Sequence, residues 1–129
     1  YVPLDELLKR ADVITLHCPL TDETHHMIDA DQLKMMKDSA ILINCARGPV
    51  INEEAVLKAL SSKDIAGAAL DVYEKEPEVD DEYKNLDNVI LTPHIGNASV
   101  EARDAMGEIV ANNAIAALKG DLVKYIVNK

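Results

Sequence analysis

Apolar residues fall in short runs at positions 13–16, 40–43, 65–70 and 89–91. Each run is too brief for a helix and too continuous for a half-exposed antiparallel strand, so each is expected to be a buried parallel strand. Between them the spacing changes to i, i+3 and i+4: Leu4, Leu7 and Leu8, then Leu33 and Met36, then Val56, Leu57 and Leu60. That period puts an apolar stripe on one side of a helix. Polar residues mark the helix starts. Asp29 followed by Gln32 fits a capping box, and Asn52 can accept from the free N–H groups of the turn that begins Glu53-Glu54. Those two glutamates sit where the helix dipole favours negative charge. A longer helix is expected from about Val100, capped by Ser99, to about Lys119. Its stripe is Ala102, Met106, Ile109, Val110, Ala114 and Ala117, and Gly120 is its stop. Strands alternating with helices call for right-handed crossovers and a parallel sheet with covered faces, an α/β architecture of the doubly wound type. Residues 73–86 break the pattern with Pro77 and the acidic Glu78, Asp80, Asp81 and Glu82, and are expected to be mostly solvated loop.

Composition narrows the class. The 129 residues are 48% hydrophobic and 28% charged, which suits one soluble domain. Four Tyr and no Phe or Trp leave the core to aliphatic side chains. Thirteen basic against 23 acidic residues give a net charge of −10, so neither nucleic acid nor an anionic membrane surface is an expected partner. No apolar run approaches the roughly 18 residues of a spanning helix, and the first residues resemble no export signal. The chain reads as cytoplasmic, and its start without Met suggests a piece of something longer. Cys18 and Cys45 have neither the spacing of a metal site nor that of a disulfide framework, and are expected to be reduced thiols.

Ligands of open α/β sheets bind beyond the carboxyl ends of the strands, and the four strand exits here are polar. They are His17-Cys18-Pro19, Asn44-Cys45-Ala46-Arg47-Gly48, Asp71, and Thr92-Pro93-His94-Ile95-Gly96. The guanidinium of Arg47 suits a carboxylate gripped through two parallel hydrogen bonds, although a tether to an acid such as Asp71 would also explain it. Gly48 beside it permits a sharp turn or a close approach. His94 leaves the sheet behind Pro93, which holds Thr92 extended, and it can exchange a proton near neutral pH. Glu76, placed against it, would favour the imidazolium; spacing alone does not establish that pairing. His25 and His26 are expected to be exposed, and His17 to be structural. Two readings stand on the residues alone: an enzyme site with an arginine anchor and a histidine acid, or a scaffold whose polar strand ends are merely satisfied. Four polar exits together favour the first.

The segments LHCPLTDETHHMI, ILINCARGPVINEEAVLKAL, IAGAALDVYEKEP and NVILTPHIGNAS resemble, in order, the second half of the nucleotide-binding domain of the D-isomer-specific 2-hydroxyacid dehydrogenases. The resemblance implies a parallel, doubly wound (Rossmann-like) sheet, its second half only, with a long C-terminal helix over residues 1–129. It implies that Arg47 anchors substrate, that His94 is the general acid/base and that Glu76 pairs with it. Cys18, Pro19, Cys45, Ala46, Asp71 and Gly96 fall where members line the cofactor cleft, Asp71 near the nicotinamide carboxamide. The implied reaction is hydride transfer between nicotinamide C4 and C2 of a small 2-oxo or 2-hydroxy acid of the D series, with NAD as cofactor and NADP left open.

Departures refine this expectation. None of the five glycines belongs to a G-x-G-x-x-G, so the half that cradles the pyrophosphate is missing, as is the substrate domain. The piece alone is expected to bind NAD weakly and to be inactive. The run after His94 resembles phosphoglycerate and glyoxylate/hydroxypyruvate members more than the D-lactate group, and Glu76 disfavours formate dehydrogenases. Asn52 stands where aspartate is usual, and Pro49 carries no assigned role. Members are commonly homodimers. The alternative is a non-catalytic relative, a corepressor or NAD-sensing protein-binding module, since fold does not dictate function.

Overall fold

Strand pairing sets the frame in which everything else is placed. The computed structural model describes residues 1–126, and these form two units, residues 1–94 and the residues from Ile95 on. In the first unit the elements are α1 (Leu4–Arg10), β1 (Val13–Leu16), α2 (Ala30–Leu33), β2 (Ile41–Asn44), α3 (Glu53–Ser62), β3 (Gly67–Leu70) and β4 (Val89–Leu91). The four strands are all parallel and lie in the order β1-β2-β3-β4. The apolar runs therefore became strands, with β2 starting one residue and β3 two residues later than their runs.

The register aligns Ile14, Leu42, Ala68 and Val89 across the sheet, and Leu16, Asn44, Leu70 and Leu91 two positions on. Side chains alternate along a strand, so these rows share one face. It packs with Leu8 of α1, Leu33 of α2 and Val56, Leu57 and Leu60 of α3 into one core. On the other face Val13 is 54% and Ile90 67% exposed. The expectation of two covered faces thus fails within these residues. Strands added in one direction without reversal send right-handed crossovers to the same side, so this stretch holds one wing of a doubly wound sheet and helices on one face.

The helix starts follow the local chemistry. Asp29 and Gln32 close the capping box on α2, and Asn52 Oδ1 accepts from Ala55 N at 3.2 Å on α3. α2 is only four residues long; Met35 and Met36 continue it in tighter turns through Met35 N to Gln32 O and Met36 N to Leu33 O, and Leu33 and Met36 are both buried. The crossover from β3 to β4 contains a 3-10 turn, Asp81–Asn85. Its acids are solvated as expected, but Tyr73 and Tyr83 are buried. Their rings fill the space under the loop that a helix would otherwise cover.

The second unit is built on α4 (Val100–Lys119). Ser99 Oγ accepts from Ala102 N at 3.1 Å, and Gly120 ends the helix with a left-handed φ of 73°. Both ends match the sequence reading. None of its described residues is buried. No helix among the described residues is long and apolar enough to cross a membrane.

Candidate active site

Parallel strands deliver their carboxyl ends to one edge of the sheet, and three exits there converge. Asn44, fully buried at the end of β2, folds the exit loop around its own amide: Oδ1 accepts from Ala46 N and Nδ2 donates to Arg47 O, both at 3.0 Å. This leaves Cys45 and Arg47 exposed and Ala46 buried. Arg47 Nη1 donates to Ala46 O at 2.7 Å, so the guanidinium is aimed by its own loop and retains donors for a ligand.

Gly48 then opens a 3-10 turn, Gly48–Val50, against the loop after β3. A Cβ added at Gly48 would lie 2.0 Å from the carbonyl carbon and oxygen of Tyr73 and 2.4 Å from Glu74 N. Backbone meets backbone here, and only glycine permits it. The contact brings the Arg47 loop onto the segment that carries Glu76.

That segment is held from both sides. Tyr73 N donates to Glu76 Oε1 at 3.0 Å, and its buried hydroxyl lies 2.8 Å from Thr92 O and 3.1 Å from Leu70 O. Asp71 is buried, donates its N–H to Asn44 O at 3.0 Å and accepts from Thr92 Oγ1 at 2.5 Å. Thr92 is thereby tied twice, two residues before His94. His94 itself takes a left-handed φ of 53°, a conformation uncommon outside glycine that clusters at functional sites. Its Nδ1 lies 2.8 Å from Glu76 Oε2.

Electrostatics join the three groups. The Glu76 carboxyl is held below the usual carboxylate range, first by the hydrogen bond from His94, then by Tyr73 N–H, with the His94 and Arg47 charges adding to it. The carboxylate and the imidazole are in direct contact, and the guanidinium is set on the loop that Gly48 seats against the Glu76 segment. Because the carboxylate engages Nδ1, it fixes the proton there and leaves Nε2 as the nitrogen for exchange with a ligand. A cavity of about 370 Å³ adjoins the pair, walled by Tyr73, Pro77, Leu91, Thr92 and His94.

Of the residues expected to line a cofactor cleft, Cys18, Pro19, Cys45, Ala46 and Asp71 all follow β1, β2 or β3 at this edge, Cys18 partly buried and Pro19 exposed. Gly96 lies in the second unit and is exposed. Cys18, Cys45 and Ala46 place small side chains at this edge, and the Asp71 carboxylate accepts from Thr92 Oγ1. The N-termini of α2 and α3 are capped by the chain's own Asp29 and Asn52.

His26 departs from its expected exposure. It is half-buried with φ 50°, its Nε2 lies 3.1 Å from Glu74 Oε1, and its ring stacks on that of exposed His25. His17 is exposed, with Nε2 2.8 Å from Thr15 Oγ1. Both cysteines are free. The sequence reading named Asn44 as part of a polar exit without giving it a role, and passed over Tyr73 and Glu74. A polar residue closing an apolar strand marks Asn44, but the other two act through bonds that no local pattern encodes.

One wing of a dinucleotide-binding sheet with a cation, an acid and an imidazole at its carboxyl edge is a dehydrogenase-type arrangement. The comparison with known proteins agrees. The family model of the D-isomer specific 2-hydroxyacid dehydrogenase NAD binding domain matches residues 1–96, and the chain belongs to that family. A Staphylococcus haemolyticus protein whose name assigns it to the 2-hydroxyacid dehydrogenases is 57% identical over all 129 residues, which span 41% of its length. The crystal structure of D-lactate dehydrogenase with NAD+ from Lactobacillus jensenii is similar at TM-score 0.88 and 36% identity, over 100% of this chain and 43% of that one. A glyoxylate reductase from Paecilomyes thermophila is similar at TM-score 0.86 and 41% identity, over 95% of this chain and 38% of that one. The chain thus spans about two fifths of the length of the relatives it matches.

Proposed function

We propose that this chain is the nicotinamide- and substrate-facing half of the NAD-binding domain of a D-2-hydroxyacid dehydrogenase, residues 1–129 being that domain's second portion. The observation that carries the reading is Glu76, bonded to His94 at 2.8 Å and lying in the field of Arg47. A bound NAD or NADP supplies the hydride chemistry at C4, and the chain supplies orientation and charge. Arg47 binds the carboxylate of a small 2-oxo acid and polarises its carbonyl. His94, oriented through Nδ1 by the Glu76 carboxylate, delivers a proton from Nε2 to the oxygen that becomes hydroxyl. In the oxidative direction the neutral imidazole takes that proton back. Cys18, Pro19, Cys45, Ala46 and Asp71 line the cofactor side, Asp71 near the carboxamide.

Turnover in this reading needs the remaining length of the relatives, which supplies the pyrophosphate cradle and the substrate domain. The chain alone binds NAD weakly and is inactive. The complete enzyme is read as a cytoplasmic homodimer with neither nucleic acid nor membrane as partner, its substrate nearer the phosphoglycerate and glyoxylate/hydroxypyruvate group. The test is NADH and NADPH consumption by the complete enzyme against a panel of 2-oxo acids that includes pyruvate, glyoxylate and hydroxypyruvate. Arg47→Ala is expected to raise KM and lower kcat together; an unchanged kcat/KM removes Arg47 from the site. Absence of turnover with every acid, alongside retained NAD binding, would instead favour a protein-binding relative that senses the cofactor.

A further inference from the structure

Glu74 touches none of the three proposed catalytic groups, yet it sits where their loops meet. Its Oε1 accepts from Glu53 N at 3.0 Å and lies 3.1 Å from His26 Nε2. Its own N–H donates to Glu53 Oε1 at 2.8 Å. Two acids 21 positions apart thus exchange backbone hydrogen bonds across the start of α3. Facing carboxylates repel, and burial, more than this repulsion, pushes the Glu53 carboxyl up. An arrangement of this kind persists only where donors offset its cost, and here they are the two exchanged amides and His26.

In the first turn of α3 Asn52 accepts from Ala55 N and Glu74 from Glu53 N. What the exchange adds is a tie between loops. The peptide joining Tyr73 to Glu74 is the one on which Gly48 rests, at separations only glycine allows. The next turn of the Arg47 loop is fastened from the same partner, because His26 N–H donates to Pro49 O at 2.8 Å. On the other side of that peptide, Tyr73 N–H holds Glu76. One carboxylate therefore pins the single segment against which both the guanidinium loop and the acid of the His94 pair are set.

We infer that Glu74, with His26 as its hydrogen-bond partner, is a positioning residue that sets the spacing between Arg47 and the Glu76–His94 pair. This inference rests on the functional reading above. Misplacement of reacting groups by about 1 Å can cost on the order of 10²-fold in rate, so a loosened segment should be felt in kcat.

The test uses the complete enzyme and its Glu74→Ala, Glu74→Gln and Val56→Ala variants, with steady-state kinetics and the imidazole NMR signal of His94. Glu74→Ala is expected to lower kcat by about tenfold or more, within that bound, and to shift the His94 signal. Glu74→Gln keeps an oxygen for Glu53 N–H and should recover most of both. Val56→Ala, buried in the same helix, destabilises the fold and should leave both readouts near wild type. An unmoved His94 signal in Glu74→Ala, or an equal kcat loss in Val56→Ala, overturns the inference. Should the wild-type enzyme reduce no 2-oxo acid, the functional reading fails on its own, and the His94 signal still decides whether Glu74 positions this segment.

Discussion

Gly48→Ala is the most demanding test of the geometry, because it adds one methyl group at a place where the structure leaves no room. Gly48 is buried, and the new Cβ would lie 2.0 Å from backbone atoms of Tyr73, against the 3.4 Å at which contact becomes ordinary. The two loops must part by about 1.4 Å, the difference between those separations. Neither neighbour is a flexible side chain: Tyr73 is tied through its hydroxyl to Thr92 O and through its N–H to Glu76. Overpacking of this sort costs about 1–3 kcal/mol and occasionally more, and the rigid backbone on both sides places this case at the upper end. Displacement on this scale should also lower kcat/KM by about 10²-fold. Thermal melting followed by circular dichroism, together with NADH-consumption kinetics of the complete enzyme, measures both. Gly107→Ala is the control: it lies within α4 with nothing within 4 Å of its added Cβ, and it should gain up to about 1 kcal/mol from helix propensity. Wild-type melting and kinetics for Gly48→Ala would refute the close contact, and with it the route by which the Arg47 loop is set on the Glu76 segment.

Three further outcomes follow from single contacts. Glu76→Gln should lower kcat by about 10²-fold, the lower end for a positioned acid–base group, as read from initial rates across pH. The same carboxyl is held below its ordinary value of 4.5 by the His94 hydrogen bond; its contribution to stability is therefore present above that value and lost as pH falls through the depressed one, and acid melts of Glu76→Gln should lack this component. Tyr73→Phe should cost about 0.5–1.5 kcal/mol by melting, because Leu70 O and Thr92 O keep other donors in Thr92 N and His94 N. Asn52→Ala removes the cap on Ala55 N and should cost about 0.5–2 kcal/mol, measured the same way, with KM unchanged.

The sequence reading was sound wherever the signal and its consequence lay within a turn or two of chain. Asp29 and Gln32 close a box across three residues, and Ser99 and Gly120 bound a helix that their own chemistry starts and stops. α2 came out short because Leu33 and Met36 at the right spacing say where side chains go, and a tighter turn serves that equally well. Residues 73–86 read as loop from Pro77 and their acids, and those acids are indeed solvated. Tyr73 and Tyr83 escaped that reading because a ring in a polar stretch looks like surface until the core beneath it is known. His26 did so for the same reason, its partner Glu74 being 48 positions away.

By itself, the order of apolar runs and capping residues determined four strands, their parallel sense and the polar character of their carboxyl ends, because those depend on hydrophobic period and on groups that reach only their neighbours. The tertiary structure alone decided that the helices share one face, that Gly48 bears on Tyr73, and that Glu76 meets His94 across 18 positions. Such contacts depend on the direction in which successive strands are laid down and on how closely two backbones can approach, quantities that no local pattern of residues carries.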